Sequence, residues 1–152
     1  MRSIQRNSCW TIAPPSDYRR VLARLLLIVP EGAILYFEGC GIPAHVKRFL
    51  ESRALPGKRK LPGGTWLPTP NTFHLVISDR NLADLGAVLG LPETDGVPTH
   101  IHVYHGNSMI LQWYDTSAKD PIHICSSIEE EKMRAFCDAV GCSYRRVGQK
   151  DG

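Results

Sequence analysis

The chain has no Cys-x-x-Cys pair, no apolar run long enough to cross a bilayer, and no internal repeat or low-complexity tract. Each absence removes a class. The five cysteines, Cys9, Cys40, Cys125, Cys137 and Cys142, are scattered and odd in number. A secreted disulfide framework usually carries an even set, and a structural zinc site carries paired ligands. Reduced thiols in a cytoplasmic protein are therefore expected. The longest apolar run, Val21 to Val29, is broken by Arg24 and stopped by Pro30, well short of the roughly 20 residues a spanning helix needs. The polar start, Met-Arg-Ser-Ile-Gln-Arg-Asn, leads into no apolar signal core. Neither a membrane nor a secretory reading is expected.

The familiar catalytic signatures are missing too. There is no Gly-Lys-Ser/Thr phosphate loop, no Gly-x-Ser-x-Gly, no His-Glu-x-x-His and no Asp-rich calcium loop. No cofactor is expected. What remains is an ordinary globular composition, 43% hydrophobic and 22% charged over 152 residues, which suits one domain spanning 1–152 and excludes a disordered chain. The net charge of +3 is unevenly divided. Residues 1–76 hold 11 Lys/Arg against 4 Asp/Glu, and residues 77–152 hold 7 against 11. Such a split suits an acidic partner for the basic half, unless folding intermixes the two halves.

Periodicity predicts an α+β fold in the order α-β-α-β-α-β-β-β-α-β. Ser16-Asp17 opens a first helix whose apolar stripe is Tyr18, Val21, Leu22, Leu25 and Val29. The run 33–38 reads as a central strand, and Pro43 starts a second helix with Val46, Phe49 and Leu50 inward. Residues 73–78 read as a strand, capped by Ser78 or Asp79 into a third helix. Residues 99–105 and 109–115 form a hairpin about His-Gly-Asn-Ser, after a turn at Asp95-Gly96. A strand at 122–125 precedes a fourth helix, with Ser127 and Glu130 as its capping box and Gly141 as its stop. A last edge strand falls at 143–147. The alternation in the first half predicts at least one parallel pair, hence a mixed sheet of about five to six strands packed against four helices. Residues 1–13 read as a flexible N-terminal segment, and 55–72 as a long Pro/Gly-rich basic loop.

Alternation within strands places His74, His100, His102, Tyr104 and His123 on one face, opposite the Ile/Val/Leu face expected under the helices. Three readings follow for this uncovered face. His100 and His102, with His74 or His123, form a candidate metal site for a hydrolase, because residues two apart on a strand project side by side. Alternatively, Tyr104 with Trp113 or Tyr114 stacks single-stranded nucleic acid while Lys58, Arg59 and Lys60 grip phosphate. The plainer reading is that histidine and tyrosine suit a half-exposed strand surface. Base rates favour the last.

Cys40 stands between glycines ahead of a helix N-terminus, where a thiolate is favoured, and His45 follows within a turn as a candidate base. Gly39-Cys40-Gly41 is equally what a tight strand-to-helix turn requires, and that reading is preferred. With no catalytic signature, the expectation is a non-catalytic protein that binds another protein. Its expected contact surfaces are Lys58, Arg59, Lys60 and Trp66 in the loop, together with the histidine/aromatic face. Small bacterial partner-neutralising proteins of the immunity type have this character, by analogy of size and style only.

Overall fold

Helix periodicity and strand alternation resolve into one seven-stranded sheet in the computed structural model, which describes residues 1–56, 61, 70–91, 98–116 and 120–148. Lys58, Arg59, Lys60 and Trp66 lie outside the described residues, as does the Asp95-Gly96 turn. The elements are β1 (Cys9–Ile12), α1 (Tyr18–Leu22), β2 (Ile34–Gly39), α2 (Ala44–Arg53), β3 (Asn71–Val76), α3 (Asp79–Leu89), β4 (His100–His105), β5 (Ser108–Tyr114), β6 (Ile122–Cys125), α4 (Glu130–Val140) and β7 (Tyr144–Val147). The class is α+β, as the pattern predicts. A short 3₁₀ turn, Leu25–Leu27, replaces the second half of the expected first helix.

Three expectations are corrected. Residues 9–12 are not a flexible tail. Cys9, Trp10, Thr11 and Ile12 are buried as strand β1 between β6 and β7, and the Trp10 indole donates to the Ile128 carbonyl at 2.9 Å. The sheet is not mixed: in the order β3-β2-β4-β5-β6-β1-β7 every neighbouring pair is antiparallel. Parallel strands do exist, but never side by side. Helix α3 carries the chain from β3 to β4 across β2, and α4 carries it from β6 to β7 across β1. Each crossover leaves room for one antiparallel strand, the split arrangement of a βαβ unit. The Ser127–Glu130 capping box does not form either, since Glu129 takes the N-cap position without a side-chain bond and Ser127 Oγ lies 2.8 Å from Cys125 Sγ.

The four helices of the described residues all cover one face. Val21 and Leu22, Val46 and Leu50, Leu82 and Leu85, and Met133 and Phe136 close over Leu35, Phe37, Leu75, Ile101, Val103, Leu111 and Trp113. A bulge between β4 and β5 sets Val103 opposite Leu111 but Tyr104 opposite Met109. Ile110 is the extra residue and stays in the helix-side core, while Met109 turns to the other face with Tyr104. At the first helix, Asp17 rather than Ser16 caps, accepting from the Arg19 amide at 3.0 Å.

Gly141 ends α4 at φ +80°, with the Arg20 guanidinium 3.2 Å from where a Cβ would sit. Its amide and that of Cys142 both reach back to the Cys137 carbonyl, at 2.7 and 3.0 Å. Gly141→Ala is expected to lower stability by about 1–2 kcal/mol, the cost of a side chain in left-handed backbone. A urea midpoint unchanged from wild type would contradict this.

Candidate functional site

The strand registers assemble the second face into rows. Across the sheet from β3 to β7, residues directly opposite one another are His74, Tyr36, His102, Gln112, His123, Thr11 and Arg145. Every strand contributes one member of this polar row. A second row, one pleat along, runs Thr72, Glu38, His100 and Tyr114. Cross-strand neighbours sit about 4.5–5.5 Å apart at Cβ, so these side chains must pack on one another.

They do. The Tyr36 ring stacks on His102 at 5.6 Å between centroids and meets His74 edge-on at 5.2 Å. His100 and His102 stack at 6.0 Å, and Tyr114 stands edge-on to both, at 5.4 and 4.6 Å. The Tyr36 hydroxyl donates to Glu38 Oε1 at 3.0 Å, and His74 Nδ1 lies 2.8 Å from the Tyr104 hydroxyl. His123 falls further along the row, its Nδ1 3.7 Å from Cys9 Sγ. Three of the four candidate histidines therefore gather around Tyr36 and Tyr114. The fourth belongs to the β1–β6 end of the sheet.

The face is not open, contrary to the sequence expectation. Tyr36, Glu38, His74, His102, Tyr104 and Gln112 are all buried, Glu38 and His102 to 1% exposure. Ile4 and Leu61 pack with Tyr36, Tyr104 and Met109 over one end, and residues 1–4 are tied down by the Arg2 amide to the Asn107 carbonyl at 2.8 Å. Thr72, His100, Tyr114 and His123 are partly exposed, and Arg145 at the far end of the row is exposed.

Hydrogen bonding fixes the state of the two central rings. The Asp115 amide donates to His100 Nδ1 at 2.9 Å, so the ring proton resides on Nε2, which faces Glu38 Oε2 at 3.3 Å. The Trp113 amide likewise donates to His102 Nδ1 at 3.3 Å. Burial, then the neighbouring His100, pushes the His102 pKa down to about 3, so this imidazole is neutral at physiological pH. Burial and the Glu38 carboxylate hold the Tyr36 phenol well above its usual range, which keeps it a donor. Burial also raises Tyr114.

A metal ligand must offer a ring lone pair, and the Nδ1 lone pairs of His100 and His102 already accept backbone amides. Among the described residues no three His, Cys, Asp or Glu side chains are arranged to hold a metal ion. Stacking of bases needs exposed rings; Tyr104 is 6% exposed and Trp113 is fully buried on the helix side, while Tyr114 is half-buried with its ring edge-on to His100 and His102. Cys40 is exposed on its turn, and His45 is half-buried in the first turn of α2. A Cβ at Gly39 would lie 2.9 Å from the Ile42 side chain and 3.6 Å from Pro98 Cα, so close packing accounts for the first glycine of that turn.

Tyr36, Glu38, Gln112 and Cys9 are parts of this face that the strand alternation of the histidines alone did not name. Glu38 carried a signal: a carboxylate within an otherwise apolar central strand needs internal donors. Among the described residues no helix is long and apolar enough to cross a membrane. Comparison with family models, curated proteins and solved structures finds no match for this chain.

Proposed function

We propose that the protein is a non-catalytic binding module that takes an extended acidic segment of a partner protein as an added strand on β7. The observation that carries this is the basic character of that edge. Strand β7 pairs only with β1 among the described residues, leaving its outer backbone groups unpaired in the sheet. Arg145 and Arg146 are exposed and project to opposite faces. Arg145 Nε donates to Thr11 Oγ1 at 3.2 Å, and the Arg146 guanidinium lies 5.0 Å over the Trp10 ring. An incoming strand thus meets peptide hydrogen-bonding groups along its length and positive charge on either side.

The opposite edge is less suited, because the Leu55 amide already occupies the His74 carbonyl of β3 at 2.8 Å. Pairing of two β7 strands would bring the arginines of the two copies together, and like charges facing one another are unfavourable. A peptide matches an alternating N–H and C=O edge where a nucleic acid does not, which favours protein over nucleic acid. The charge split of the sequence is redistributed here: these two arginines come from the acidic half and lie beside β1 from the basic half.

A synthetic peptide alternating glutamate with valine tests the reading by NMR titration. Amides of 145–147 are expected to shift, with binding weakened by salt and reduced about tenfold or more in Arg145→Glu/Arg146→Glu. Equal binding by that variant, or shifts confined to another surface, would remove β7 from the proposal.

A further inference from the structure

We infer that Cys9, His123 and Cys125 form a thiol–disulfide site at which a hydroperoxide oxidises Cys125 and Cys9 closes a disulfide between β1 and β6. Cys9 and Cys125 are direct cross-strand partners in the antiparallel β1–β6 ladder. Their side chains share the second face of the sheet, since Thr11 and His123 form the next same-face pair in that register. Antiparallel partners have Cα atoms about 4.5–5.5 Å apart, inside the span of about 4.4–6.8 Å that a disulfide accepts. Side-chain rotation brings the sulfurs together without moving either strand.

The two thiols differ in the way such a pair requires. Cys125 is half-buried and lines a cleft of about 450 Å³ with Arg2, Ser8, Ser108 and Ser126. Its Sγ is 2.8 Å from Ser127 Oγ, a hydroxyl able to donate to a thiolate. Cys9 is fully buried behind it, with Sγ 3.6 Å from the Arg6 carbonyl and 3.7 Å from His123 Nδ1. Burial raises the Cys9 thiol while Arg6 opposes this, so Cys9 rests as the protonated partner. Burial and then Arg6 lower His123, which leaves its imidazole neutral and able to accept a proton.

The chemistry balances as follows. The Cys125 thiol gives up its proton as its sulfur attacks one peroxide oxygen, an S–O bond forms, the O–O bond breaks, and the leaving alkoxide or hydroxide takes up that proton. Cys125 is now a sulfenic acid. Cys9 gives its proton to His123 Nδ1 and its sulfur attacks Cys125, forming S–S as S–O breaks. The departing hydroxide recovers the proton from His123 as water. Two thiols lose two electrons in all, and the peroxide gains them.

The remaining thiols are internal controls. Cys40 is exposed on a turn, and Cys137 and Cys142 contact each other at the end of α4. The reduced full chain is treated with one equivalent of hydrogen peroxide, alkylated, digested and mapped by mass spectrometry. A Cys9–Cys125 linked peptide, reversed by dithiothreitol, is expected. In Cys9→Ser, Cys125 is expected to accumulate as a dimedone-trapped sulfenic acid, and in His123→Asn the link is expected to close several-fold more slowly. A Cys137–Cys142 link alone, or oxidation of Cys40 with Cys125 still reduced, would overturn the assignment.

Discussion

Lowering the pH from 6.5 toward 3 is expected to remove about 3–5 kcal/mol of folding stability through His102, at roughly 1.4 kcal/mol for each pH unit of the window. The direction follows from proton counting. The ordinary imidazole pKa is 6.5 and the folded value is about 3. Between these limits the unfolded chain binds a proton at this position and the folded chain does not. Stability is therefore fully present above pH 6.5 and is lost as the pH falls through the window. The cause is structural: His102 is 1% exposed, stacked between Tyr36 and His100, and its Nδ1 accepts the Trp113 amide. A proton on that nitrogen would break this bond and place a charge in the sheet.

Thermal unfolding between pH 7 and 5 samples the upper part of this window while the Asp17 cap, held below the usual carboxylate range by Arg19, stays ionised. The replacement His102→Asn keeps an acceptor near the Nδ1 position. Its stability is expected to be lower at pH 7 but markedly flatter with pH, with part of the slope kept by His123, whose pKa is also depressed by burial. An unchanged slope in the variant would mean that His102 takes up its proton equally in the folded and unfolded chain, which would overturn this prediction.

How far the sequence discloses these features depends on which interactions are local. The stripes of α3 and α4 are legible because Leu82, Leu85, Met133 and Phe136 recur at helical spacing and all reach the core. Strand alternation likewise places His74, His100 and His102 on a single face. It says nothing about what lies above that face, and Ile4 and Leu61 come from segments without a periodic pattern. The parallel pair inferred from helix–strand alternation fails for a topological reason. The crossovers are real, yet β2 and β1 slot between the strands they join, and no local signal reports an insertion by a distant strand. Strand β1 escapes notice because four residues are too few to show a period. The Cys9–Cys125 pairing is hidden for another reason, since its two strands lie at opposite ends of the chain.

Truncating Tyr36 to alanine is expected to cost about 3–5 kcal/mol, the range for removing a buried aromatic side chain. Tyr36 is 4% exposed on a strand flanked by two others, and its ring is the shared neighbour of His74 and His102. Its hydroxyl is also a donor to Glu38, a carboxylate at 1% exposure whose other acid oxygen faces His100. The alanine variant therefore opens a void in the polar row and withdraws a donor from a buried acid at once. Tyr36→Phe separates the two effects. It keeps the stacked ring and loses only the hydroxyl, so about 1–3 kcal/mol is expected. Combining it with Glu38→Gln closes a double-mutant cycle whose coupling measures the bond itself. The phenol supplies a further check at high pH. Its folded pKa is raised above the ordinary value of 10.0, so its contribution is fully present below pH 10 and is lost as the pH rises further. That alkaline loss is expected to diminish in Tyr36→Phe. A cost for Tyr36→Ala below about 1 kcal/mol, a value typical of exposed sites, would show that the row is not packed. The histidines would then stand on an accessible surface, and a binding role for that face would regain its claim over β7.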